Sequence, residues 1–151
     1  MAYQLKVDFS DQYFKKLGLK DGYDKVLADT LLLSSVQAEG LIRREAPVDT
    51  GNLRRSVQHF TKGSKEAGVS ARGAKYWVDI EYGTAPHVIT PKKSKALRFQ
   101  IGKDEVYAKK VQHPGTAPNP FVKRAVNTLR SRKMVQQAFR ASLQKHGIQL
   151  G

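Results

Sequence analysis

The chain contains no cysteine. That one absence excludes disulfide staples, thiolate zinc sites and cysteine nucleophiles together, and it suits assembly in a reducing cytoplasm. Long apolar runs are missing too: none approaches the ~18 residues that a membrane span needs. The opening residues, MAYQLKVDFSDQYF, set charges among their apolar side chains and hold no apolar core of a secretory signal, so none is expected there. Acids are scarce: 13 Asp and Glu stand against 27 Lys and Arg, for a formal net charge of +14. Glu105 is the last of them, yet Lys109, Lys110, Lys123, Arg124, Arg130, Arg132, Lys133, Arg140 and Lys145 follow. A surface this basic faces a polyanion, an acidic protein or solvent counter-ions, and composition leaves all three open.

What is present suits an ordered protein. The 151 residues are 40% hydrophobic, about one domain's worth, able to bury roughly two thirds of the unfolded surface. A weakly patterned arm over 1–20, one domain over 21–146 and a short tail over 147–151 are expected. Over 24–46 the apolar residues Val26, Leu27, Leu31, Ala38 and Ile42 recur at helical spacing, with Asp24 placed to cap the start and Arg43 and Arg44 at the end. Pro47 closes that helix. Leu32, Leu33 and Val36 widen the stripe beyond one face, so the helix needs two things to pack on, one of them a candidate for another subunit.

Short strands are expected next. SVQHFTK and EAGVSA flank Gly63 and Ser64 as a hairpin. KYWVDIEYG alternates, with Tyr76, Val78, Ile80 and Tyr82 on one side and Trp77, Asp79 and Glu81 on the other, and reads as a strand. ALRFQI repeats the alternation and pairs with EVYAKKVQ through a turn at 102–104. The segment 83–96, with two prolines and several lysines, reads as a long exposed loop. Two helical stripes close the chain, Val122, Ala125, Val126 and Leu129, then Val135, Ala138, Phe139 and Leu143, with a bend near Ser131. Pro120 suits the first turn and Asn119 its cap. The expected class is α+β: a long N-terminal helix on one antiparallel sheet of about four to five strands, with one or two C-terminal helices. GTAP occurs at 83–86 and again at 115–118, which reads as two turns of similar chemistry.

The candidate chemistry is thin. APVDTGNLRRS, residues 46–56, has one glycine and no Lys-Ser/Thr pair, so it is a corner in which Asp49 or Thr50 caps a short turn and Gly51 takes a positive φ, not a phosphate loop. Asp79 and Glu81 on one strand face, near Lys92, Lys93 and Lys95, are the loose inventory of a metal-dependent nuclease; the plainer account is a solvated sheet face. His59, His87, His113 and His146 show no metal-ligand spacing, and His87 and His113, beside prolines, brace turns or a subunit contact. No catalytic, cofactor or metal residue is assigned.

Three stretches in order, APVDTGNLRRSV, YWVDIEYGTAPHVITPKKSKALRF and VYAKKVQHPGTAPNPFVKRAV, resemble the tail-completion or head–tail connector proteins of long-tailed bacteriophages and prophages. The resemblance covers roughly 24–130. It implies a virion structural protein of the neck, assembled in the host cytoplasm. That protein forms a ring, hexameric by preference or dodecameric, between portal, adaptor or stopper proteins and the tail terminator or tail tube. It implies no enzymatic activity and no cofactor. The family motif falls on Pro47, Asp49, Thr50, Gly51, Leu53 and Arg54. It falls next on Glu81, Tyr82, Gly83 and Thr84, then on His113, Pro114, Gly115, Thr116, Pro120 and Phe121, all as architectural positions. Lys92, Lys93, Lys95, Lys109, Lys110, Arg130, Arg132 and Lys133 are the candidate contacts to passing DNA or to an acidic partner. The rival readings are a sequence-independent nucleic-acid-binding protein and a small metal-dependent nuclease.

Overall fold

The computed structural model describes residues 3–5, 23–92 and 94–148. Most of the expected N-terminal arm, Lys93 and the last three residues lie outside them. Among the described residues the chain is α+β, with five helices and seven strands. It divides into two compact units, Met1–Trp77 with Phe121–Gly151, and Val78–Pro120, so the span 21–146 is interrupted by a second unit. No described helix is long and apolar enough to cross a membrane.

The first unit is built on α1 (Tyr23–Glu45). Asp24 lies inside its first turn, where its charge complements the positive end of the helix, rather than capping it from outside. Ala46 still donates its N–H to Ile42 O at 2.9 Å before Pro47 ends the run. On one side Leu27 and Leu31 pack with Ala67; on another Val26 packs with Phe139 and Leu143, with Ile148 against them. The helix therefore has two neighbours, a sheet and a helix pair, as its wide stripe requires. Leu32, Leu33 and Val36 still stay 40–45% exposed.

The sheet beneath α1 has three antiparallel strands, β1 (Tyr3–Leu5), β2 (Val57–Lys62) and β3 (Glu66–Ala71), in the order β1-β3-β2. The β2–β3 hairpin turns through Gly63, at φ +59°, as its sequence predicts. Between α1 and β2 lies one turn of helix, α2 (Asn52–Ser56). The C-terminal pair, α4 (Phe121–Ser131) and α5 (Met134–Lys145), buries Phe121, Val122, Ala125 and Leu129, then Ala138, Phe139, Ser142 and Leu143. The expected bend sits at Lys133, whose φ of +51° is a left-handed geometry rare for a side chain with a Cβ.

Two expectations fail. First, Trp77–Tyr82 is a short helix, α3, not a strand. Its alternation of apolar residues also satisfies helical spacing, and the burial follows the helix: Trp77 and Glu81, four apart, are buried while Asp79 and Tyr82 are exposed. Second, the strands do not join into one sheet of four or five. β4 (His87–Ile89) pairs with β7 (Val111–His113), β5 (Leu97–Ile101) pairs with β6 (Asp104–Ala108), and neither pair joins the first sheet. The segment 83–96 is accordingly not a plain loop, because β4 lies within it.

Phe121 and Leu143 are each only 1% exposed. Truncation to alanine removes their contacts and leaves a cavity, so Phe121→Ala is expected to cost about 3–5 kcal/mol and Leu143→Ala about 2–5 kcal/mol in urea titrations.

Candidate functional site

The corner at 46–57 is closed by two arginines that reach across it to backbone carbonyls. Arg54, on α2, donates from Nη2 to Ala46 O at 3.1 Å, just beyond the end of α1. Arg43, on the last turn of α1, donates from Nε and Nη2 to Val57 O at 3.0 and 2.7 Å, at the start of β2. Ala46 O lies just past the helix and Val57 O on the first residue of the edge strand β2, and each carbonyl gains a charged donor. Gly51 takes the expected positive φ of +75° and stands at the N-cap of α2. No side chain caps that helix; Thr50 Oγ1 accepts from the Asn52 N–H at a long 3.4 Å, and Asp49 is exposed. Leu53 is buried beneath the turn and Pro47 half-buried. This stretch is a corner with no cradle of inward-facing N–H groups.

Glu39 adds a second tie between α1 and β2. Its carboxylate accepts the His59 backbone N–H at 2.8 Å and also meets the His59 ring and Arg43 Nη2. Burial pushes the Glu39 carboxyl up, but the His59 hydrogen bonds and the Arg43 charge outweigh it, so its pKa is lowered. Asp29 does the same work at the far end of α1. Hydrogen bonds from Lys145 and His146, both at 2.8 Å, hold its carboxyl below the usual carboxylate range. Neither tie between elements declares itself in the sequence, because His59 lies twenty positions from Glu39 and His146 lies 117 from Asp29.

The second unit is organised by the repeated tetrapeptide. Thr84 and Thr116 exchange backbone hydrogen bonds, N–H to O at 3.0 and 3.1 Å, so the two GTAP segments run antiparallel and face each other. The pairing keeps the register of β4 and β7, in which His87 opposes His113. Pro86 therefore falls opposite Pro114, and the ladder lapses at the level where neither strand has an N–H to give. Gly83 and Gly115 are at φ +74° and +88°. A Cβ on Gly83 would stand 2.4 Å from Thr116 O, and one on Gly115 would stand 2.3 Å from Thr84 O. Glycine is required at both for two reasons at once, conformation and space. Beside the crossing the His87 and His113 rings stack at 4.9 Å. His87 Nδ1 donates to Ala85 O at 2.9 Å, while His113 Nδ1 accepts the Gly115 N–H at 3.1 Å. The two histidines brace turns, as their prolines suggest.

Beyond the crossing the strands continue as a two-stranded arm. Seven residues, 90–96, separate β4 from β5 on one side, but only two, 109–110, separate β6 from β7 on the other. Arg98 and Tyr107 face each other across the β5–β6 pair, and both meet Glu105. The motif residues thus sit at four places. Pro47 to Arg54 form the corner; Gly83, Thr84, Gly115 and Thr116 form the crossing, with His113 and Pro114 beside it. Glu81 and Tyr82 end α3, and Pro120 and Phe121 open α4. Among the candidate contacts, Lys92, Lys95, Lys109 and Lys110 are exposed on the second unit, and Arg130, Arg132 and Lys133 on the first. Lys93 lies outside the described residues.

The carboxylate pair imagined for a nuclease does not form, because the helix turns Asp79 outward and buries Glu81 at 3% exposure. A small hollow in the first unit, lined by Ile42, Val57, Val69, Ser70, Ala71, Trp77, Phe121 and Val122, is mostly apolar, with Ser70 its one hydroxyl-bearing residue. Compared with protein-family models, with curated proteins and with solved structures, the chain matches none.

Two outcomes are expected. Asp29 and Glu39 have lowered pKa values in the folded state, so the stability they contribute is complete above the ordinary carboxylate range and drains away as pH falls through their depressed pKa values. The gap in melting temperature between the native chain and Asp29→Asn should shrink steadily as pH is lowered into that range. Gly83→Ala and Gly115→Ala should each abolish slow amide exchange at Thr84 and Thr116; retained protection would show that the crossing tolerates a methyl.

Proposed function

We propose that the chain is a structural, non-enzymatic protein of the neck of a long-tailed phage particle, forming a ring between the portal side and the tail and letting DNA pass. One observation carries this. The three stretches that resemble head–tail connector proteins coincide with the latched corner, the α3 end, the glycine crossing and the start of α4, all of which shape backbone and none of which forms a reactive cleft. Residues whose work is to hold turns suit a protein that functions by its shape and its copies. The ring is sixfold by preference, with twelvefold the alternative, in keeping with the usual symmetry of tail and portal.

A second reading, sequence-independent nucleic-acid binding, is favoured by the exposed Arg130, Arg132 and Lys133 around the α4–α5 bend. The two readings separate by experiment. The connector should appear as closed rings in images of the purified chain and should be located at the head–tail junction of intact particles. Its affinity for duplex DNA should be weak and collapse with added salt, as phosphate-driven binding does. A stable monomer that grips duplex DNA, with no place in the particle, would replace the connector by the second reading.

A further inference from the structure

The first sheet ends on β2, and an edge strand leaves open the backbone groups that its one neighbour does not pair. Which groups those are follows from the register. Arg72 donates its N–H to Ser56 O at 3.0 Å, and the β2–β3 pairs run from Val57 opposite Ala71 to Lys62 opposite Glu66. Hydrogen-bonded pairs alternate along an antiparallel ladder, so Gln58, Phe60 and Lys62 bond to β3 while Val57, His59 and Thr61 turn their N–H and C=O outward. An outward row of that kind is a template for a strand of another chain.

Side chains of α1 already occupy part of this row. Glu39 and Arg43 stand one helical turn apart and are joined through Oε1 and Nη2 at 2.8 Å. Glu39 Oε2 accepts the outward His59 N–H at 2.8 Å, and Arg43 gives Nε and Nη2 to the outward Val57 O at 3.0 and 2.7 Å. An acceptor at His59 N–H and a donor at Val57 O are what one residue of a parallel neighbouring strand would supply. The Glu39 side chain is only 14% exposed, so it stays on the edge rather than sampling solvent. Among the described residues, Thr61 alone keeps both outward groups open, and β2 ends at the next residue, Lys62. A strand that landed there would find a single residue to pair with.

We propose that the Glu39–Arg43 pair is an edge guard, closing the free edge of the three-stranded sheet to strand addition by a second copy of the chain. Net charge alone does not do this. Copies at +14 repel one another, but salt screens that repulsion beyond about 10 Å at 0.1 M and about 3 Å at 1 M. The guard's contacts, at 2.7–3.0 Å, lie inside either length, so the guard still holds where the net charge no longer does. The assignment explains why Glu39 reaches a backbone N–H two residues inside β2, past the corner that Arg43 and Arg54 close. It is independent of whether copies form a ring.

The double variant Glu39→Ala/Arg43→Ala separates edge from charge, because it loses one negative and one positive group and stays at +14. In salt of about 1 M its mass by light scattering should at least double relative to the native chain in the same buffer, whatever the native assembly is. The Thr61 amide should become slow to exchange in the associated form. Thr61→Pro, added to the double variant, removes an outward N–H without touching the ladder to β3, and should return the mass to the native value. If the double variant melts early, Glu39→Ala alone frees the His59 N–H while Arg43 stays on Val57 O, and the same gain and the same reversal are expected. A folded variant with fast exchange at His59 that keeps the native mass in salt would overturn the guard. So would association that Thr61→Pro leaves unchanged, because the copies would then be meeting through another surface.

Discussion

Everything in the first unit depends on the angle at which α1 leaves the sheet, and that angle is fixed by two guanidinium groups binding backbone carbonyls. Arg43 holds the first carbonyl of β2 and Arg54 holds the carbonyl after α1, so the corner is tied from both sides. Arginine suits the task because its fork of donors stays charged at any working pH and does not need a carboxylate. With the angle set, one side of α1 meets Ala67 of the sheet and another meets Phe139 and Leu143 of α5. The side that remains is the neutral strip at Leu32, Leu33 and Val36. Its exposure follows from the corner, since a helix has only so much circumference and two neighbours do not enclose it.

The second unit obeys a different constraint, the close approach of two glycine turns. Among its described residues only Glu81, in α3, is buried, and its shape comes from backbone pairing at Thr84 and Thr116 and from the absence of a Cβ at Gly83 and Gly115. The repeated GTAP is therefore neither an internal duplication of a domain nor a pair of unrelated turns. It is one local two-fold device made of two matching halves.

Much of this was legible in the residues. Helical spacing located α1 to within a residue at each end, and the glycines at 51 and 63 carried the positive φ that their turns demanded. The bend after α4 and the turn between β5 and β6 fell where the periodicity placed them, but EVYAKKVQ is not one strand: it breaks after Ala108, and Val111 and Gln112 pair with β4 instead. What failed had physical causes. KYWVDIEYG fits periods of 2 and 3.6 about equally over six residues, and only the burial of Trp77 and Glu81 decides for the helix. Strand pattern identifies strands but not which of them join, so three small sheets and one larger sheet look alike in sequence. The candidate site was half legible. Gly51, Gly83 and Gly115 were marked by their turns, whereas the carbonyl targets of Arg43 and Arg54 and the pairing of the two GTAP segments are tertiary facts with no local signature.

The corner is the claim that most deserves a direct measurement, and the cysteine-free chain allows one. Spin labels at Val36→Cys on α1 and Lys65→Cys at the β2–β3 turn report the helix–sheet distance within the first unit. Pulsed dipolar spectroscopy should give a single narrow distribution, which broadens when Arg43 and Arg54 are both replaced by methionine. A distribution that stays equally narrow without the two guanidiniums would contradict the account, because something else would then be setting the angle.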